Sequence, residues 1–407
     1  MTLPAVARPG TVVLVAALAL AALLSGCTGT REARTPLAVV VAGNDASGGR
    51  LELVASPLPP EPGADRGEFT PLPGFTRTLP GTLVDVAVAR DAPVRLYALH
   101  RDGTDRLSRF AADDLDLDDP GSLPSTPVTV DLGQRVADAG VLPEPSSLCS
   151  AGLDVSADGR WAGIVHVPAN CGGGADDSSN VILVELVPDA GATPRVVPEA
   201  PSTDDAPGTP AFVERDGRDL LAWPLRSGSL TAIALDAPTE PRLDLGEVDG
   251  LSDVLDVGRG GRGLVVVDDE RAASLGLGDG EASRTWEAPA GTTFASVVDG
   301  TGLPGPVAIV RTVGGLVVIP DVDETDDEVE PGDTSVGNTR DAIVDPYGYA
   351  FVVSDDQLAA VDVLSYLADP DGRLTRVLRT TLDAPAEPVA ITWLFGSSAV
   401  PTPVNAP

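Results

Sequence analysis

One unit recurs through most of this 407-residue chain: a short apolar strand, a tight turn rich in Asp and Gly, and a second apolar strand. The clearest copy runs through residues 152–165, with Asp158-Gly159 supplying the positive φ that a hairpin turn demands. Similar turns lie at Asp91, at Asp216-Gly217, at Gly260-Gly261, at Asp299-Gly300 and at Asp345-Pro346. Measured from Asp91, Asp158, Asp216, Gly260, Gly300 and Pro346, the steps are 67, 58, 44, 40 and 46 residues. The last three fall in the period of about 40 to 50 residues expected of four-stranded propeller blades. The two longer steps hold an acidic stretch at residues 113–119 and a glycine-rich run at 172–177.

Further strands at residues 181–186, 230–235 and 358–363 complete individual blades, so six blades fit between about residue 80 and residue 385. Strand sequence is left over at both ends: a hairpin from 37–42 and 51–55, and a segment at 389–395 that begins another. Letting the two termini share one blade removes the exposed edges of an open array. The reading is an all-β, seven-bladed propeller closed by its N- and C-terminal strands. With 44 glycines and 38 prolines, the chain is punctuated too often for long helices. A pair of β-sandwiches split by the Pro-rich stretch at 56–73 also satisfies strand alternation, but gives no reason for one turn to repeat at near-constant spacing.

The turn Ser156-Ala157-Asp158-Gly159-Arg160, followed by Trp161, resembles the Ser-x-Asp-Gly-Arg turn of lactonase-like and TolB-like propellers. That resemblance is close in one blade and approximate in the rest, and it implies architecture. Lactonase-type propellers often hold a divalent metal at the channel through Glu, Asp and Asn side chains, and the resemblance assigns no such positions here.

The first 27 residues are built differently. Arg8 is their only charged side chain, and an apolar run spans 11–24, which is the layout of a signal peptide. A run of about 14 residues is too short for a bilayer that needs roughly 20. It ends in Leu24-Ser25-Gly26-Cys27, which resembles the lipobox of bacterial lipoproteins. The resemblance implies cleavage before Cys27 and lipid on its thiol; the alternative is an ordinary secretory signal cut at a small residue. The expected organisation is a signal peptide at 1–26, a lipidated tether at 27–36, the propeller at 37–400 and a flexible tail at 401–407. The expected location is the cell envelope, on the outer side of a membrane. Thr28 is not the aspartate that often retains lipoproteins at an inner membrane, so the outer membrane is expected if the cell has two.

After the signal, 26 basic residues face 61 acidic ones, a formal balance of −35. A surface this acidic repels nucleic acid and anionic headgroups, because binding either requires clustered cations. All 27 basic residues are arginine, which codon bias in a GC-rich genome explains better than a functional need for guanidinium. Cys149 and Cys171 remain as an even pair, read as a disulfide in an exported protein. His166 is nearby, but the usual four-ligand zinc set is absent.

Catalytic signals are sparse. His100 and His166 are the only histidines; each follows an alternating strand, where a half-exposed sheet residue is expected, and no serine sits in a nucleophile elbow. No phosphate loop or dinucleotide fingerprint occurs, and the glycines at 258–263 lie between strands with no helix following. Asp114, Asp116 and Asp118 alternate as calcium-loop oxygens do, and Asp321 with Asp323 begins a second acidic cluster. Neither has the required glycine, so a solvated acidic loop competes with calcium at both, and no other cofactor is expected. Trp161, Trp223, Trp286 and Trp393 belong to strands and are expected in the packing, whereas Tyr347 and Tyr349 suit an exposed contact. The leading functional expectation is a non-enzymatic binding or scaffold module in the envelope with a protein or glycan partner. A metal-dependent hydrolase or lactonase and a carbohydrate-binding module are the alternatives.

Overall fold

The computed structural model describes residues 37–56, 70–71, 75–91, 94–112, 123–124, 126–172, 179–186, 195–197, 208–225, 229–247, 256–260, 263–276, 282–298, 307–319, 332–345, 348–355, 357–368, 374–381 and 387–395. Their strands form seven antiparallel sheets. Blades 1 to 6 follow one another along the chain, each a four-stranded meander. Their innermost strands are Thr82–Ala89, Ser150–Val155, Ala211–Arg215, Asp256–Gly260, Phe294–Val298 and Thr339–Val344. Blade 7 is composite: Glu387–Phe395 is its innermost strand and pairs antiparallel with Leu37–Asp45, which pairs in turn with Gly48–Ser56. The register places Val39 opposite Trp393 and Ala42 opposite Ala390. The segment at 389–395 therefore joins the N-terminal hairpin instead of starting a hairpin of its own. Each innermost strand touches the next, and the seventh touches the first, so the ring is closed and the two-sandwich alternative is overturned.

The repeat produces this shape because each blade is covered on both faces. In blade 4, Leu264 and Val266 pack with Leu220 and Ala222 of blade 3, while Val265 and Val267 pack with Phe294 and Val310 of blade 5. Side chains alternate across a strand, so an uninterrupted apolar run feeds two interfaces at once. Seven such apolar clusters exist among the described residues, one at each junction, including those of blade 7 with blades 6 and 1. All four tryptophans are buried. Trp161 and Trp223 share the junction of blades 2 and 3, Trp286 fills that of blades 4 and 5, and Trp393 that of blades 6 and 7. Tyr349 is half-buried and packs on the cluster around Trp393, which corrects its expected role as an exposed contact; Tyr347 lies outside the described residues.

In blade 3 a two-residue hairpin turn joins the inner two strands. Asp216 at φ 54 and Gly217 at φ 75 form the left-handed pair of a two-residue turn, which explains the Asp-Gly signal. Among the described residues, α-helix is limited to Leu132–Asp138 and Val363–Ala368, with short 3-10 turns at Pro145–Ser147 and Pro168–Cys171. The first is capped by Asp131, whose side chain accepts from the Gln134 N–H.

Cys149 and Cys171 are joined in a disulfide with Cα atoms 5.8 Å apart. It ties the entry of blade 2 to the loop after its second strand, Trp161–His166. Closing a 22-residue step removes chain entropy from the unfolded state worth about 3 kcal/mol. The double variant Cys149→Ser/Cys171→Ser is expected to lose about that much in urea unfolding, with a slope equal to or steeper than wild type because the unfolded chain is released from the cross-link.

Candidate functional site

The innermost strands border the central channel, and in three of them an aspartate reaches across to the next blade: Asp85, Asp154 and Asp341. All three do the same work. One carboxylate oxygen accepts from the N–H of the next residue, and the other accepts from the inner strand of the following blade. For Asp85 the donors are Val86 at 2.7 Å and Leu153 of blade 2 at 2.8 Å. For Asp154 they are Val155 at 2.8 Å and Phe212 of blade 3 at 3.2 Å. For Asp341 they are Ala342 at 2.8 Å and Ile391 of blade 7 at 2.8 Å. Each aspartate thereby satisfies an edge N–H beside which no further strand lies. At the junction of blades 5 and 6, Arg311 bridges instead, from Ser296 Oγ at 2.8 Å to the Thr339 carbonyl at 3.0 Å.

Protein surrounds these carboxyls, though each keeps some exposure. Burial pushes Asp85 up to about 8, and the charges of Asp341 and Asp154 add to the rise against the two N–H donors. Asp341 is raised to about 6, again by burial, with the Ile391 N–H and the nearby Arg311 opposing it. Sequence reasoning missed these residues. The available signal was an acidic residue inside an otherwise apolar strand, as in Val84-Asp85-Val86 and Leu153-Asp154-Val155.

A second polar cluster sits at the junction of blades 1 and 2. Arg101 grips Asp105 with Nε at 2.5 Å and Nη2 at 3.1 Å, and Nη2 also reaches the Ser150 carbonyl at 3.2 Å. The Ser150 N–H returns to Asp105 Oδ2 at 2.7 Å. His100 and His166 are fully buried, at 0% and 2% exposure, which corrects the expectation of half-exposed sheet residues. His100 lies between the Pro80 carbonyl at 2.9 Å and Ser108 Oγ at 2.8 Å. His166 Nδ1 accepts from the Cys149 N–H at 3.0 Å, so its proton is on Nε2. Burial lowers the pKa of both rings and keeps them neutral near pH 7. This cluster is a structural link between blades.

An open cleft of about 430 Å³ lies where the turns of blades 1, 2 and 3 meet. Asp91 comes from the first turn, Asp158, Arg160 and Trp161 from the second, and Glu214, Arg218 and Asp219 from the third. Both arginines are already paired. Arg160 reaches Glu185 at 3.1 Å, and Arg218 reaches Asp236 at 2.8 Å. Asp158 accepts from Ser156 Oγ at 2.6 Å and from the Arg160 N–H at 2.9 Å, fixing the turn. Asp91, Glu214 and Asp219 make no ion pair within 4.0 Å among the described residues, although Arg160 and Arg218 line the same cleft.

Of the lipidation, disulfide and metal candidates named from the sequence, Cys149 and Cys171 fall in described parts, and they are bonded. Cys27, Asp114, Asp116, Asp118, Asp321 and Asp323 lie outside them. Among the described residues, no three His, Cys, Asp or Glu side chains gather to hold a metal ion. No described helix is long and apolar enough to cross a membrane.

Fold and site together define a closed seven-bladed β-propeller whose inner strands are stapled by aspartates. The fold matches 967 solved chains, breadth that marks an architecture and not an activity. One of them is the periplasmic gluconolactonase PpgL of Pseudomonas aeruginosa, with a TM-score of 0.59 and 15% identity, covering 90% of this chain and all of that one. No protein-family model and no curated protein sequence matches the chain.

Proposed function

We propose that this protein is a lipid-anchored, extracytoplasmic β-propeller that binds an envelope protein or glycan through loops on one face of its ring. The observation that supports it most is the contrast between the two acidic sets. One oxygen of each channel aspartate joins blades and the other is held by its own strand, whereas Asp91, Glu214 and Asp219 of the turn-face cleft make no ion pair among the described residues. Functional groups on loops held by a rigid scaffold are what a binding module needs. The signal segment and lipobox-like Cys27 support export and anchoring, and the periplasmic setting of the structural neighbour agrees with export.

The test is a pull-down from native membranes with the full chain and with Asp91→Arg/Glu214→Arg. A partner recovered reproducibly by the wild type and lost with the variant supports the reading; failure to recover anything reproducible refutes it. In the same cells, Cys27→Ser is expected to move the protein from the membrane to the soluble fraction.

A second reading, lactone hydrolysis in the channel, is favoured by Asp85, a carboxyl raised to about 8 and therefore able to act as a general acid near neutral pH. The gluconolactonase neighbour makes gluconolactone the first compound to assay. Hydrolysis faster than buffer and lost in Asp85→Asn supports this reading, and no acceleration eliminates it.

A further inference from the structure

We infer that the Cys149–Cys171 disulfide is a redox switch, opened in the folded ring by a protein dithiol that attacks Cys171, so that the turn carrying Cys171 is released while blade 2 stays paired. The two cysteines differ in access. Cys149 is 4% exposed and immediately precedes the inner strand Ser150–Val155. Cys171 ends the 3-10 turn Pro168–Cys171, and residues 169–172 are all exposed. Exchange proceeds by attack of a thiolate on one sulfur while the other leaves, and access decides which is attacked. A protein reductant meets the exposed turn first, which makes Cys171 the attacked sulfur and Cys149 the leaving one.

What holds each cysteine besides the disulfide also differs. The Cys149 N–H donates to His166 Nδ1 at 3.0 Å, and the Cys149 carbonyl accepts from the Val167 N–H at 2.8 Å. Ser150 pairs with His166 in the next register position, so Cys149 is fixed to the strand pair without its sulfur. Bonds of the turn are internal: the Asn170 N–H donates to the Val167 carbonyl at 3.0 Å, and the Gly172 N–H to the Ala169 carbonyl at 3.2 Å. Among the described residues, no hydrogen bond or ion pair ties residues 168–172 to the inner strand, and the disulfide does so alone. The pair lies at the far end of blade 2 from the turn at Asp158, so the switch is independent of the cleft.

In the opening step a thiolate of the dithiol bonds to Cys171 Sγ, the disulfide breaks, and its electron pair leaves on Cys149 Sγ, which takes a proton. The second thiol then attacks the mixed disulfide and expels Cys171 as a thiol. The dithiol ends as a disulfide, and the propeller gains two electrons and two protons. An oxidised dithiol of higher potential reverses the transfer.

The test treats the oxidised mature chain, without denaturant, with thioredoxin kept reduced by its reductase and NADPH; thiols are then alkylated and located by mass spectrometry. Both cysteines are expected to be freed at least about tenfold faster than the ring unfolds in the same buffer. A thioredoxin lacking its second cysteine traps the mixed disulfide, expected on Cys171 in at least about tenfold excess over Cys149. On reduction, hydrogen exchange at the Asn170 and Gly172 N–H groups is expected to speed at least about tenfold, and that at the Cys149 N–H to change less than about twofold. The variant Cys149→Ser/Cys171→Ser is expected to match the reduced chain at all three groups. Reduction that waits for denaturant, an adduct mainly on Cys149, or a turn still protected in the reduced chain or the variant overturns the inference. Loss of protection at Cys149 together with the turn also overturns it, because the disulfide would then hold the blade itself.

Discussion

Ending the chain after residue 386 is expected to abolish cooperative folding. The lost strand, Glu387–Phe395, is the innermost of blade 7 and the only described strand paired with the free side of Leu37–Asp45. Its removal exposes that edge and empties the positions of Ile391, Trp393 and Leu394, all at least 95% buried. Deleting one large buried apolar side chain costs about 2 to 5 kcal/mol. Three such losses, with a row of strand hydrogen bonds, equal or exceed the roughly 5 to 15 kcal/mol that stabilises a typical domain. Asp341 loses its Ile391 donor, and the Trp393 indole can no longer donate to the Val344 carbonyl at 2.9 Å. Circular dichroism melting and gel filtration of the truncated chain give the readout. A sharp transition near the wild-type temperature would show that the termini do not close the ring.

The second large effect is a pH dependence of unusual sign. Asp85 is raised from 3.8 to about 8, so the folded state keeps a proton that the unfolded chain releases near pH 4. Stability from this group is complete below about pH 4 and is lost as pH rises through 8. Carboxylates nearer the surface behave oppositely: Asp45, Asp236 and Asp355 are lowered by hydrogen bonds, first from Ser47, Arg218 and Arg340, and lose their contribution in acid. The buried histidines also work against Asp85, since their lowered pKa makes stability rise as pH climbs through about 6.5. Comparison with Asp85→Asn isolates the aspartate, because the histidine contribution is common to both proteins. Between pH 6 and pH 8 the wild type is expected to lose about 2 kcal/mol relative to Asp85→Asn in chemical denaturation. A constant difference across that interval would mean that Asp85 is ionised throughout.

Most of the architecture was legible because its signals are local. The turn at Asp158-Gly159 needs a left-handed residue, and Gly159 at φ 68 supplies it. The run Leu264-Val265-Val266-Val267 is apolar at every position because both strand faces meet another blade. The disulfide followed from pairing two remaining cysteines in an exported chain. The functional surface was less legible. Asp85 looked like one acid among 61, and its meaning appears only when Leu153, 68 positions away, offers an N–H at 2.8 Å. His100 and His166 were misjudged because a histidine on an alternating strand is half-exposed in a lone sheet and fully covered between blades.

By itself, the sequence determined the repeated hairpin, the blade period, the cysteine pair and the excess of negative charge, since all depend on residues near one another in the chain or on composition alone. Tertiary structure decided which carboxylates join blades and which face a cleft. That distinction depends on the field and hydrogen-bond donors of neighbouring blades, and the three turns that build the cleft come from segments more than fifty residues apart.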